Sequence, residues 1–238
     1  MKTAQTNRGG GGGFTLIEML VVISIIGIIA AMVLGLGSLA SRKKKDAVVG
    51  AMKNKLVVMI ENYQSKMGFF PPDNALNVTF DLNTPSGFTG YESSTAMNQL
   101  LYELCGATLL SGTNATKFQA FDATNMLSLS AKIPGTDVNT AFGRGGIANS
   151  NPDEPHVFFT PLPKPAEYAV YLNLNTSVPL KGLVVPAARD VNSSLINYWH
   201  YDSSSAYRHN PGGFDLWAEY DGGKDSSNNV IIITNGNW

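Results

Sequence analysis

The sequence predicts an α+β chain in which one long N-terminal helix leads into a small C-terminal antiparallel β-sheet domain with long loops. Three observations carry this. An apolar run extends from Phe14 to Ala40, broken by one charge. A second stretch, reaching Met67, repeats apolar residues every three or four positions. After residue 167, short runs alternate apolar and polar residues between turns rich in Gly, Asn and Asp. The 238 residues suffice for one sizeable domain with an appendage. A charged content of 15% excludes a highly charged disordered chain. The single cysteine excludes an intramolecular disulfide framework and any cysteine-based zinc cage. A net charge of −1 gives no reason to expect a nucleic-acid partner.

That near-neutrality is a cancellation. Residues 1–45 hold six basic residues (Lys2, Arg8, Arg42, Lys43, Lys44, Lys45) against one acid, Glu18, for a net +5. Residues 46–238 hold the other 11 basic and 17 acidic residues, for a net −6. Residues 1–13, with five consecutive glycines from Gly9 to Gly13, can neither build a core nor hold a helix. The apolar run then begins at Phe14 and is apolar on every face. Its 27 residues make ~40 Å of helix, long enough for a bilayer that needs ~20 residues. Glu18 is its one ionisable residue. An acid in a membrane segment is costly. Two readings stand: stabilisation by the helix N-terminal dipole close to water, or pairing with a cation from a neighbouring copy.

Gly13-Phe14-Thr15-Leu16-Ile17-Glu18 followed by the long apolar helix resembles the prepilin-type cleavage and methylation signal shared by type IV pilins and the pseudopilins of type II secretion. The resemblance implies that a prepilin peptidase cuts between Gly13 and Phe14, that the Phe14 amine is N-methylated, and that Glu18 pairs with that amine on an adjacent subunit during assembly. It also implies a single-pass protein of the bacterial cytoplasmic (inner) membrane, with its C-terminal domain on the periplasmic or extracellular side. Its partners would be copies of itself, other pilin-like subunits, the peptidase, an inner-membrane assembly platform and the lipid bilayer. The competing readings are an ordinary secretory signal with a small-x-small site at Ser38-Leu39-Ala40, and a plain membrane anchor. The cluster Arg42 to Lys45 opposes the implied topology, because a positive-inside count would leave the body in the cytoplasm.

Beyond the cluster, Val48, Met52, Leu56, Met59, Tyr63 and Met67 mark an amphipathic stripe expected to pack on the body. Gly68 ends the helix and Pro71-Pro72 prevent its resumption. Gly68-Phe69-Phe70-Pro71 also resembles the segment where pseudopilin helices enter their globular part, with Phe70 in place of the usual Tyr. The chain therefore divides into a leader (1–13), a transmembrane and assembly helix (14–40), an amphipathic continuation (41–67) and a globular α+β periplasmic domain (68–238). Within the last, Ala96–Cys105 reads as a second helix stopped by Gly106, with Cys105 as a buried inert thiol. Residues 111–165, with five prolines between Pro152 and Pro165, read as loop, and Gly143-Arg144-Gly145-Gly146 as a flexible piece of it. Strands are expected at Tyr168–Leu174, Leu183–Val185, Ile196–Tyr201, Phe214–Ala218 and Val230–Thr234. Turns are expected at Asn210–Gly213 and Asp221–Gly223, and all three Trp rings should fill the seam between sheet and helix.

The C-terminal run from Phe214 through Asp221-Gly222-Gly223-Lys224-Asp225 to Asn237-Trp238 resembles the end of the major pseudopilin of type II secretion. That resemblance points to a structural calcium near Asp221 and Asp225. Asn228 and Asn229 stand where acids are common, so the alternative is an Asx-rich turn needing no cofactor. His156, His200 and His209 match no recognised metal or catalytic spacing and read as exposed loop residues. No catalytic constellation is present, and an enzyme is not expected. The expected function is a structural subunit of a type II secretion pseudopilus or related type IV pilus-like filament. The alternative is a membrane-anchored or exported module whose Ser111–Pro165 loops bind a carbohydrate or protein ligand.

Overall fold

The computed structural model describes residues 13–74, 95–110, 117–120, 132–153, 155–170, 175–186, 196–225 and 227–238, without the side chains of 33–39 and 120. It divides into two units, Met1–Lys44 and Lys45–Trp238. Helix α1, Leu16–Met67, runs through both. In the first unit it is exposed wherever its side chains are described. In the second it carries the stripe that the core needs.

That stripe is Val49, Met52, Leu56, Met59, Ile60 and Tyr63, all buried. The spacing places Met52, Leu56, Met59 and Tyr63 as expected, but Val49 replaces Val48, which is only half-buried. One residue rotates a side chain by 100°, so a stripe read from sequence is easily off by one at its end. Gly68 adopts φ +84° and donates its N–H to the Gln64 carbonyl at 2.8 Å, ending α1 in the left-handed turn that glycine allows. Pro71 follows, and its carbonyl accepts from the Tyr201 hydroxyl at 2.8 Å and from the Ser203 hydroxyl at 2.9 Å.

Helix α2, Leu100–Cys105, is shorter than expected and buried on every side. It sits between two cores. Leu100, Leu101, Leu104 and Cys105 join α1 and the C-terminal strands in the first; Tyr102 and the preceding Met97 belong to the second. The second core is absent from the sequence reading. It is built by β1 (Ala107–Leu110), β2 (Lys117–Ala120), β3 (Ile133–Pro134), α3 (Gly135–Phe142) and β4 (Ser150–Asn151). The strands form a sheet in the order β3-β2-β1-β4, antiparallel except for β1 with β4. Residues 111–165 are thus not all loop. Phe118, Ile133, Val138, Phe142 and Ile147 are buried together, although they are too scattered in sequence to show a period. Gly143 caps α3 in the left-handed region, and Arg144 binds Asp73 through its guanidinium at 2.6 Å and 3.0 Å, so the glycine-rich segment is a fastened helix end.

Strands β5 (Tyr168–Val170) and β6 (Lys181–Leu183) pair antiparallel. The expected continuation through Leu174 lies outside the described residues. Strands β7 (His200–Asp202), β8 (Asp215–Lys224) and β9 (Val230–Gly236) form an antiparallel sheet. An antiparallel bridge between Val184 and Tyr198 joins β6 to the approach to β7. Asn210–Gly213 is a turn as expected, with the Gly213 N–H on the Asn210 carbonyl at 3.0 Å. The other turn is misplaced in the sequence reading. Gly222 and Gly223 lie inside β8, at a bulge between Asp221 and Lys224, and the reversal occurs at 225–229. Gly222 is needed because a Cβ there would come within 2.6 Å of Ile233.

Alternation on β8 puts Leu216, Ala218 and Tyr220 into the first core and Trp217 on the opposite face. Of the three Trp rings only Trp199 fills the seam. Trp217 stacks on His200 at 4.9 Å and meets Trp238 edge-on at 5.7 Å, and Trp238 stacks on His209 at 4.2 Å. Asn237 fastens the chain end: its side-chain oxygen accepts from the Leu216 N–H at 2.9 Å, and its amide donates to the Phe214 carbonyl at 3.0 Å. Replacing Asn237 by Ala is expected to destabilise the second unit by about 1–2 kcal/mol, because the Leu216 N–H of β8 loses its partner and the Phe214 carbonyl is left with the Asn210 amide alone. Urea unfolding followed by Trp fluorescence measures it.

Candidate functional site

The candidate site lies at the start of α1. Gly13, Phe14 and Thr15 are non-helical and exposed, and among the described residues nothing lies within 4 Å of a Cβ built on Gly13. Phe14 is 76% exposed. The peptide bond between Gly13 and Phe14 therefore lies in exposed, non-helical chain immediately ahead of the helix.

Thr15 and Glu18 make a reciprocal cap. The Glu18 Oε2 accepts from the Thr15 N–H and the Thr15 hydroxyl, each at 2.8 Å, and the Glu18 N–H donates to the Thr15 Oγ1 at 3.3 Å. This is the capping box, readable in the sequence as Thr-x-x-Glu, and it is a third role for Glu18 beside the helix dipole and the pairing with a neighbouring cation. Both bonds to the carboxylate fall on Oε2. Among the described residues Oε1 accepts no bond and no cation pairs with Glu18, so the acid caps its own helix and keeps one oxygen open.

Among the described residues no helix is long and apolar enough to cross a membrane. From Met19 to Met32 the side chains of α1 are apolar except at Ser24, whose hydroxyl donates to the Leu20 carbonyl at 2.7 Å, and all are exposed. In sequence the run continues through 33–39, whose side chains are outside the described residues. Arg42, Lys43 and Lys44 are exposed and Lys45 is half-exposed.

The other candidates resolve differently. The Asp225 carboxylate accepts the N–H groups of Ser227 and Asn229 at 2.8 and 2.9 Å and the Asn229 amide at 3.2 Å, and these bonds, led by the Asn229 N–H, hold it below the usual carboxylate range. Asp221 accepts from the Gly223 N–H at 2.6 Å. The described part of the loop thus turns its own amides onto both carboxylates. Among the described residues no group of three His, Cys, Asp or Glu is placed to hold a metal ion. His156 is exposed and His209 largely so, but His200 is buried, with its Nδ1 2.9 Å from the Thr95 hydroxyl. It is a packed sheet residue, not a loop histidine, because Trp217 covers its ring. Cys105 is buried, as expected.

One polar centre escaped the sequence reading. Glu103 is fully buried on α2. Its Oε1 accepts from the Gln99 amide at 2.6 Å and the Ala148 N–H at 2.8 Å; its Oε2 accepts from the Tyr63 hydroxyl and the Asn149 N–H, both at 2.8 Å. Burial pushes the acid above its usual range and the four donors pull it partway back. The signal was present as the one charge in Leu100-Leu101-Tyr102-Glu103-Leu104-Cys105. What it ties together, α1 to α2 to the 148–149 segment, was not. Glu103 is closed to solvent and serves the fold.

Comparison with known proteins bears on the N-terminal end. The prokaryotic N-terminal methylation motif matches residues 11–34. The chain is 40% identical over 79 residues to the type IV wide pilus major component PilA4 of Thermus thermophilus, a match covering 32% of this chain and 60% of the relative. No solved structure matches the chain. The motif coincides with the exposed Gly13-Phe14 bond and the capped start of α1, and with the pilus relative it supports a type IV pilin-like protein.

Proposed function

We propose that the chain is a structural subunit of a type IV pilus-like filament. It is inserted in the cytoplasmic membrane through its apolar run, cut between Gly13 and Phe14 by a prepilin peptidase, N-methylated at Phe14, and stacked with other copies through α1. The observation that carries this reading is the coincidence of the methylation motif with an open, non-helical Gly13-Phe14 bond just ahead of a capped helix. Glu18, with its free Oε1, accepts the Phe14 amine of the next subunit. The assembly platform and the peptidase are partners that this reading requires.

The mature N-terminus tests it. Mass spectrometry of the chain from its native membrane is expected to find an N-terminal peptide beginning at Phe14 and carrying one methyl group. A start at Met1 or Ser41 overturns the proposal and leaves a membrane-anchored or exported binding module.

A second reading within the class is the pseudopilus of type II secretion. The Asn237-Trp238 end, clamped on β8 as described, favours it; the PilA4 relative favours a pilus. Shed surface filaments support the pilus, and loss of exported enzymes on deletion supports the pseudopilus. For the 225–229 loop, we expect the melting midpoint of the full chain in detergent to be the same with added calcium as with a chelator, since its carboxylates are already bonded to amides. A rise of several degrees with calcium would restore the cation.

A further inference from the structure

We propose that Arg42, Lys43, Lys44 and Lys45 form a cationic collar that binds the headgroups of anionic phospholipids in the leaflet opposite Glu18, holding the unassembled subunit in the membrane. This rests on the membrane reading above and adds a ligand class to it.

The argument begins with spacing. Glu18 and Arg42 are 24 residues apart on one helix, ~36 Å at its rise per residue. A bilayer has a hydrocarbon core of about 30 Å, or 40–45 Å with its headgroups. A span centred near Ala30 places Glu18 in one headgroup layer and the basic residues in the other. No charge interrupts the sequence between them.

Direction is the second argument. Consecutive helical residues turn by about 100°, so four in a row cover the whole circumference. A neighbouring protein meets one face of a helix, whereas an annulus of lipid meets all of them. Long basic side chains reach along the helix toward phosphate while their stems stay in apolar surroundings.

Availability is the third. Arg42, Lys43 and Lys44 are exposed and Lys45 is half-exposed, and none of the four forms an ion pair or hydrogen bond among the described residues. The adjacent acid, Asp46, accepts from the Tyr220 hydroxyl at 2.7 Å. Unpaired cations clustered at a membrane surface bind anionic headgroups additively, which favours retention until assembly replaces the lipid.

The test reconstitutes the full precursor chain in vesicles of phosphatidylcholine with a minority of phosphatidylglycerol, extracts it gently and measures by native mass spectrometry the lipid that stays bound. Phosphatidylglycerol is expected to be enriched at least about threefold over its bulk share, less so at high salt. The enrichment should vanish when Arg42, Lys43, Lys44 and Lys45 are all replaced by Gln, and persist when the three Lys are replaced by Arg. The leader cations Lys2 and Arg8 are common to all variants and cannot produce that difference. A bound fraction equal to bulk, or one unchanged by the Gln variant, overturns the proposal while the chain remains inserted. If the Gln variant instead loses filaments with no change in bound lipid, the collar meets acids of a neighbouring copy and lipid docking is wrong. Failure to resist alkaline extraction from any vesicle sinks the membrane reading together with the collar.

Discussion

Replacing Glu103 by Leu is expected to destabilise the second unit by about 3–4 kcal/mol, the largest single-residue effect outside the assembly segment. The carboxylate takes four donors. Tyr63 and Gln99 have side chains that can turn to other acceptors, but the N–H groups of Ala148 and Asn149 are backbone and cannot. Each orphaned buried donor costs about 1–3 kcal/mol, and relief from burying a charge returns part of that sum. Gln is the milder change, at about 2 kcal/mol, because its oxygen serves one pair of donors while its NH2 faces the other. Tyr63→Phe should cost about 1.5 kcal/mol and be less than additive with Glu103→Leu, since both remove the same bond. Chemical unfolding of the full chain in detergent reads all three; values under 0.5 kcal/mol for Glu103→Leu would mean that the network does not hold in solution.

The pH dependence has a definite sign. Burial holds Glu103 above the usual glutamate value near 4.5, so the folded state keeps its proton where the unfolded chain has lost it. The resulting contribution is fully present below that value and is lost as pH rises through the folded one. Asp202 is also raised by burial and adds a slope of the same sign, so the informative quantity is the difference between the parent chain and Glu103→Gln. That difference should shrink as pH rises from 4 and then level off.

The second large effect is on assembly. Glu18→Gln is expected to leave the chain in the membrane and to abolish filaments. The two functions of Glu18 separate cleanly by mutation. The cap uses Oε2 and needs only an acceptor, which Gln supplies; pairing with the Phe14 amine needs the charge. Thr15→Ala makes the opposite cut, removing the cap at a cost of about 1 kcal/mol while keeping the charge. Filaments should therefore survive Thr15→Ala and fail in Glu18→Gln. The reverse pattern would make Glu18 a helix cap alone. Counting filaments by electron microscopy beside the membrane-extracted pool distinguishes loss of assembly from loss of insertion.

The N-terminal site was legible because it is written in consecutive residues. Gly13, Phe14 and Glu18 lie within six positions, and the structure adds to them the cap between Thr15 and Glu18, which uses one carboxylate oxygen. The long helix was legible for a related reason: its stripe repeats at the helical period and stops at Gly68, where positive φ selects glycine. The C-terminal hairpin was placed correctly, but its turn was not. Asp221-Gly222-Gly223 has turn composition, yet the Ile233 side chain needs that glycine inside β8, a cross-strand demand with no local signature.

What the sequence by itself determined is whatever depends on neighbours along the chain: the open bond at Gly13-Phe14, the capped helix, its period and its end, and the alternation of β8. Only the tertiary structure decided the second core around Tyr102, Phe118 and Phe142, the outward placement of Trp217 and Trp238, the burial of His200 and the centre at Glu103. Each of these joins residues tens of positions apart, as Tyr63 joins Glu103 and Asn149. Local propensity is set by the adjoining peptide groups, whereas a buried charge is tolerated only where distant donors converge on it, and no window of sequence contains that convergence.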